Sequence, residues 1–107
     1  MIERSVRNLY SMLCEGRYID IEHLTGGEKI SASEIEQEIL DYGCELVQYP
    51  TLIDLDVVDV AGSDPKEWSV VAPIYTKQEG LSDLSIELSL IDNQGVEKVV
   101  LENIRVR

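Results

Sequence analysis

The sequence predicts an α+β fold in which two to three N-terminal helices pack on a four-stranded antiparallel meander. Up to residue 42 the apolar residues recur at three- and four-residue spacings, and from residue 49 onwards they mostly alternate with polar residues. The alternating segments are joined by short connections rich in Gly, Asp and Pro, which is typical of antiparallel pairing. The chain has 107 residues and no linker-like stretch, so we expect a single domain over residues 1–107.

Helical signals are found in the first half of the chain. The first apolar stripe precedes Gly16, which can end a helix, and it consists of Ile2, Val6, Leu9, Tyr10 and Leu13. Residues 17–25 fit either a short second helix or an irregular packed turn. The next helix has the strongest signature, because Ser31 and Glu34 are spaced for a capping box and Gly43 can provide a C-terminal cap. Its predicted buried stripe consists of Ile35, Ile39, Leu40 and Tyr42.

The second half of the chain predicts four strands. Residues 53–60 alternate acids with apolar residues, and the change of phase at residues 57–58 predicts a β-bulge or a twist. Trp68 opens the second strand, in which Pro73 indicates an edge position or an early end. Residues 84–90 alternate most regularly, and the Asp-Asn-Gln-Gly sequence at 92–95 suits a type I turn. The final strand covers residues 96–106, with a kink predicted near residues 102–103.

Negative charge is concentrated in one part of the chain. The formal net charge is -12, and residues 31–67 contain ten acidic residues against one lysine. Nine Lys and Arg residues are spread among twenty-one acids, which disfavours binding to nucleic acid or to an anionic membrane surface. A field of one sign instead favours association with a basic protein partner.

Residues that could perform chemistry are sparse. His23 is the one histidine, and Cys14 and Cys44 are far apart in sequence, so we expect no catalytic dyad, no zinc site, no cofactor and no enzyme activity. The two cysteines are predicted to be reduced, buried thiols. An N-terminus without a signal-peptide pattern and a chain without a transmembrane stretch predict a cytoplasmic location.

Three aspartates leave a metal site open as a lesser alternative. Asp54 and Asp56 are two residues apart on the predicted first strand, and with Asp59 they could hold Mg²⁺ or Ca²⁺ if the strand bulges. The solvated face of a sheet has the same alternation of acidic and apolar residues, and we favour that interpretation.

A signature in the second half resembles that of a small, uncharacterised bacterial family of domains of unknown function. Its parts are a tryptophan-led strand at residues 68–71 (WSVV), a threonine at residue 76, and the run EGLSDLSIEL at residues 79–88. The resemblance extends from about residue 5 to the end of the chain, with Leu81 standing where arginine is expected more often. The resemblance implies a fold and no particular activity.

The leading functional hypothesis is a small acidic interaction protein, an immunity protein that binds and neutralises a basic bacterial toxin such as a nuclease. The acids predicted to pair with Lys and Arg of the toxin are Glu36, Glu38 and Asp41 on the capped helix, and Asp54, Asp56 and Asp59 on the first strand. Two alternatives remain: a domain that binds a small ligand or metal in a pocket between helices and sheet, and a self-associating structural module. The acids form one patch only if this helix and this strand are neighbours in space.

Overall fold

The computed structural model describes residues 2–106 and confirms the α+β fold. Three helices in the N-terminal half pack on a four-stranded antiparallel sheet with the order β1-β2-β3-β4. The elements are α1 (Ile2–Cys14), α2 (Tyr18–Thr25), α3 (Ala32–Tyr42), β1 (Asp56–Asp59), β2 (Lys66–Thr76), β3 (Gly80–Asn93) and β4 (Val96–Val106). Residues 17–25, for which the sequence left two possibilities, therefore include a short helix.

The predicted boundaries of α3 are confirmed by its caps. The Ser31 hydroxyl accepts a hydrogen bond from the Glu34 N–H at 3.3 Å, and the Glu34 carboxylate accepts one from the Ser31 N–H at 3.1 Å. Gly43 ends the helix with a φ of 79°, a left-handed conformation that favours glycine. The predicted stripe is wrong at Leu40, which is 66% exposed, because α3 is buried mainly through Ile35.

The first strand is shorter and more regular than predicted. β1 contains only Asp56–Asp59, its pairing with β2 is uninterrupted, and residues 53–55 precede the strand. The predicted bulge at residues 57–58 is therefore wrong. Pro73 does not end β2, because the last β1 pair joins Asp56 to Val71 and the missing N–H of Pro73 interrupts no bond to that neighbour.

The irregularities lie elsewhere in the sheet. The β2–β3 register shifts between Pro73 and Tyr75, and β4 has one extra residue, Glu102, where the sequence predicts a kink. The β3–β4 loop is Gln94-Gly95, with φ values of 54° and 86°. Two positive φ values define a type I′ turn and not the predicted type I turn, because the type I′ twist matches that of the strands it joins.

The core lies between the helices and one face of the sheet. The strand residues on this face are buried, and they are Val70, Ala72, Ile74, Leu84, Ile86, Leu88, Leu90, Val99, Leu101 and Ile104. They form one cluster with residues of all three helices, including Val6, Leu9, Ile21 and Ile35. The opposite face of the sheet has no helix on it among residues 2–106, so the fold has two layers.

A buried tyrosine joins α1 to the crossing segment, residues 44–55, which runs from α3 to β1. The Tyr10 hydroxyl donates to the Val47 carbonyl at 2.6 Å and accepts from the Tyr75 N–H at 3.0 Å. The Tyr49 ring stacks on the Tyr10 ring with centroids 3.6 Å apart, and its hydroxyl donates to the Pro73 carbonyl at 2.6 Å. These contacts fix the crossing segment against both α1 and β2.

We expect the Tyr10→Phe substitution to lower the free energy of unfolding by about 1–3 kcal/mol, because the half-buried Tyr75 N–H loses its acceptor. Tyr18→Phe is the matched control: Tyr18 is half-buried and has no hydrogen-bonded hydroxyl among the described residues, so the change should stay within about 0.5 kcal/mol. Urea unfolding of both variants measures the difference, and equal effects would contradict this role of Tyr10.

Because of the same two tyrosines, we expect the folded protein to lose stability at alkaline pH. Burial raises the pKa values of Tyr10 and Tyr49, so both hydroxyls stay protonated in the folded chain where the unfolded chain ionises. Their contribution is fully present below the ordinary tyrosine pKa of about 10 and falls as the pH rises above it, by up to about 1.4 kcal/mol per pH unit for each group. Urea unfolding between pH 8 and 11 should show a shallower fall for Tyr49→Phe than for the wild type. Parallel curves would refute the prediction.

Candidate interaction site

The three predicted helix acids are exposed on α3 but do not form one cluster. Glu38 and Asp41 are three residues apart and so lie on the same side of the helix. The Asp41 carboxylate accepts a hydrogen bond from the Gln37 amide at 2.8 Å. Glu36 instead lines a cavity between the α1–α2 turn and the start of α3.

This cavity of about 510 Å³ lies within the helical layer. Its other lining residues include Arg17, whose guanidinium pairs with Asp20 at 2.9 Å and with Glu15 at 3.3 Å. The alternative of a ligand-binding domain expects a pocket between helices and sheet, which is a different place. The cavity's one lining cation, Arg17, is also already paired with neighbouring carboxylates.

The three aspartates at the first strand are divided between two environments. Asp56 pairs with Val71 and Asp59 pairs with Trp68, so the two aspartates project from opposite faces of the sheet. Asp59 forms an ion pair with Lys66, whose ammonium lies 5.7 Å from the centroid of the Trp68 ring. Asp54 and Asp56 line the same depression on the other face. The three aspartates therefore do not form the single cluster of carboxylates that the predicted metal site requires.

The helix acids and the strand acids lie at different edges of the molecule. α3 packs against α2 and β4, whereas β1 is the strand at the opposite edge of the sheet. The acidic stretch of the sequence therefore forms two separate surfaces and not one patch. Of the strand acids, Asp54 and Asp56 are the two that line one depression.

An apolar groove adjoins these two carboxylates. One depression of about 400 Å³ is lined by Leu52, Ile53, Asp54, Pro73, Tyr75 and Leu81. A second, of about 440 Å³, shares Asp54 and Pro73 with it and continues past Asp56 to Val71 and Ser85. We call these two depressions together the β1-edge groove. Leu52 is 85% exposed and Leu81 is 62% exposed, so the walls of the groove present apolar surface to solvent.

This groove is not evident from the sequence. Leu52 lies in the crossing segment and Leu81 near the β2–β3 turn, so only the fold brings them to the same depression. The available signal was that both leucines fall outside the alternation of the neighbouring strands. Leu81 is also the position at which the resemblance suggests arginine.

The carboxylates of the β1-edge groove have no partner in the described chain. Within residues 2–106, Asp54 and Asp56 form neither an ion pair nor a hydrogen bond through their side chains. Both side chains are exposed. They are therefore available to cationic groups of another molecule.

Few other groups offer chemistry. His23 is exposed, both cysteines are free, and burial raises the pKa of the Cys14 thiol. Both cysteines are half-buried rather than fully buried. Among residues 2–106, no three His, Cys, Asp or Glu side chains are grouped so that they could hold a metal ion. The same residues contain no helix with the length and apolar character needed to span a membrane.

The fold and the groove define an acidic two-layer α+β domain with one open sheet face. Residues 10–107 match a family described as a domain of unknown function (DUF7668), and the chain belongs to this family. Neither a curated protein nor a solved structure matches the chain.

We expect removal of a negative charge to have opposite effects on stability at the two ends of α3. Asp41 lies in the last turn, where the helix dipole disfavours negative charge, so Asp41→Asn should raise the free energy of unfolding by about 0.3–1 kcal/mol while keeping an acceptor for Gln37. Glu34→Gln is the matched change in the first turn; it keeps the capping box but should lower stability by a similar amount. Thermal unfolding at low salt compares them. Shifts of the same sign would contradict the prediction.

Proposed function

We propose that this chain is a small acidic interaction protein, an immunity protein that binds and neutralises a basic bacterial toxin such as a nuclease in the cytoplasm. The observation that supports it best concerns the six predicted acids. All six are exposed, and only Asp59 forms an ion pair with another side chain of residues 2–106. A protein that leaves so many carboxylates uncompensated is suited to a partner rich in Lys and Arg.

Acidic side chains can neutralise a nuclease by occupying its substrate-binding site. A nuclease binds phosphate groups through clustered Lys and Arg, so carboxylates placed over that cluster compete with the substrate for it. The net charge of -12 also attracts a basic partner over long range, and such steering accelerates association at low salt.

The two acidic surfaces have different parts in this proposal. Asp54 and Asp56 adjoin an apolar groove, and an interface needs buried apolar contact beside its charge pairs. We assign direct contacts with the toxin to this edge. Glu36, Glu38 and Asp41 lie at the other side of the sheet and contribute mainly to the long-range field.

Affinity capture from cells of the source organism tests the proposal. The expected result is a basic protein that stops growth when it is expressed alone and is harmless when this chain is expressed with it. Capture of an acidic partner, or of one whose expression has no effect on growth, would overturn the immunity role.

Association kinetics then test the site. We expect Asp54→Lys to slow association with the captured protein at least about tenfold at low ionic strength, and the difference should shrink at high salt. Glu28→Lys is the matched control, since Glu28 is exposed, lies outside the acidic stretch and undergoes the same charge change. Urea unfolding should show that both variants keep wild-type stability within about 0.5 kcal/mol. Equal association rates for the two variants would refute the assignment of Asp54.

A further inference from the structure

We infer that the β1-edge groove docks an extended segment of the partner, with an apolar side chain between Leu52 and Leu81 and a neighbouring Lys or Arg on Asp54 and Asp56. This inference rests on the proposed function, because it names the part of a basic partner that is recognised. The occupant is therefore a basic–apolar peptide segment.

The apolar walls support a docking role. Leu52 and Leu81 expose 85% and 62% of their surface, and the side chains of Ile53, Pro73 and Tyr75 lie between or beside them in the same depression. Exposed apolar surface rimmed by polar groups is typical of binding grooves. Covering the two leucines removes apolar area from water, which gives the partner a favourable contact in addition to charge.

The floor of the groove is fixed before any partner arrives. The Pro73 carbonyl accepts from Tyr49, and both backbone groups of Tyr75 are bonded, its N–H to Tyr10 and its carbonyl to the Val47 N–H at 3.0 Å. A preformed site loses little conformational entropy on binding. Because these backbone groups are occupied, the partner does not pair with this part of β2, and recognition at the floor depends on side chains.

Charge selects the class of peptide. Asp54 and Asp56 line the groove and have no cation among residues 2–106. An acidic or neutral segment would cover these carboxylates without pairing them, which costs free energy. A Lys or Arg beside the apolar anchor pairs with them. A second copy of this chain is a poor occupant, because two molecules with a net charge of -12 repel each other.

A library of linear twelve-residue peptides displayed on phage, selected on the wild-type protein, tests the inference. Enriched peptides should have Lys or Arg next to a Leu, Ile, Val or Phe, and a synthetic copy should shift amide resonances of the groove-lining residues in an NMR titration. Enrichment of acidic peptides, failure to enrich any sequence, or shifts confined to α3 or to β4 would overturn it.

Variants with matched controls complete the test. Leu52→Ser with Leu81→Ser, and separately Asp54→Asn with Asp56→Asn, should each weaken binding of the synthetic peptide at least about tenfold. The controls lie on α3: Leu40→Ser changes an exposed leucine and Glu38→Gln changes an exposed acid. Both should leave the affinity for the peptide unchanged. Equal loss in groove and control variants would refute the inference, and so would a wild-type dimer in sedimentation analysis that dissociates when the groove leucines are changed.

The two proposals fail in different ways. If the captured partner is a neutralised toxin but binds groove and control variants equally well, the immunity role stands and the docking inference is wrong. If the groove variants lose both the selected peptide and a captured partner that is not toxic, the docking inference stands and the immunity role is wrong.

Discussion

The buried hydroxyl of Tyr10 is the interaction on which the rest of the structure depends. It joins α1 to the Val47 carbonyl of the crossing segment and to the Tyr75 N–H of β2, and the Tyr49 ring stacks on the same side chain. The chain leaves the helical layer in this segment and returns as β1 at the sheet edge. Together with the bond from the Val47 N–H to the Tyr75 carbonyl and those from the Arg7 guanidinium to the Pro50 and Thr51 carbonyls, these contacts hold the residues that precede β1 against α1 and β2. The candidate site is thus a consequence of how the two layers are joined.

This junction also explains why the acidic stretch of the sequence does not make one surface. α3 lies against α2 and β4, and the crossing segment then carries the chain to the opposite edge of the sheet. The two acidic groups are therefore adjacent in sequence and separate in space. Their shared sign still attracts a basic partner over long range, but short-range recognition depends on the edge where carboxylates and apolar surface coincide.

The sequence predicts the parts of this fold that local physics determines. The capping box at Ser31 and Glu34 depends on contacts within a few residues, the alternation of residues 84–90 shows directly which face of the strand is buried, and both are confirmed. The predictions of a buried Leu40, a longer β1 and a type I turn are wrong. The way the helix packs and the twist of the sheet determine these features, and neither is visible in the local sequence. The groove could not be predicted, since Leu52 and Leu81 are far apart in sequence and only the complete fold brings them to the same depression.

The central claim is that the β1-edge groove is the binding surface, and a crystal structure of the chain with its captured partner tests it most directly. We predict a partner Lys or Arg within about 4 Å of the Asp54 or Asp56 carboxylate, and an apolar partner side chain between Leu52 and Leu81. An interface centred on α3 or on β4, with the groove in contact with solvent, would contradict the account.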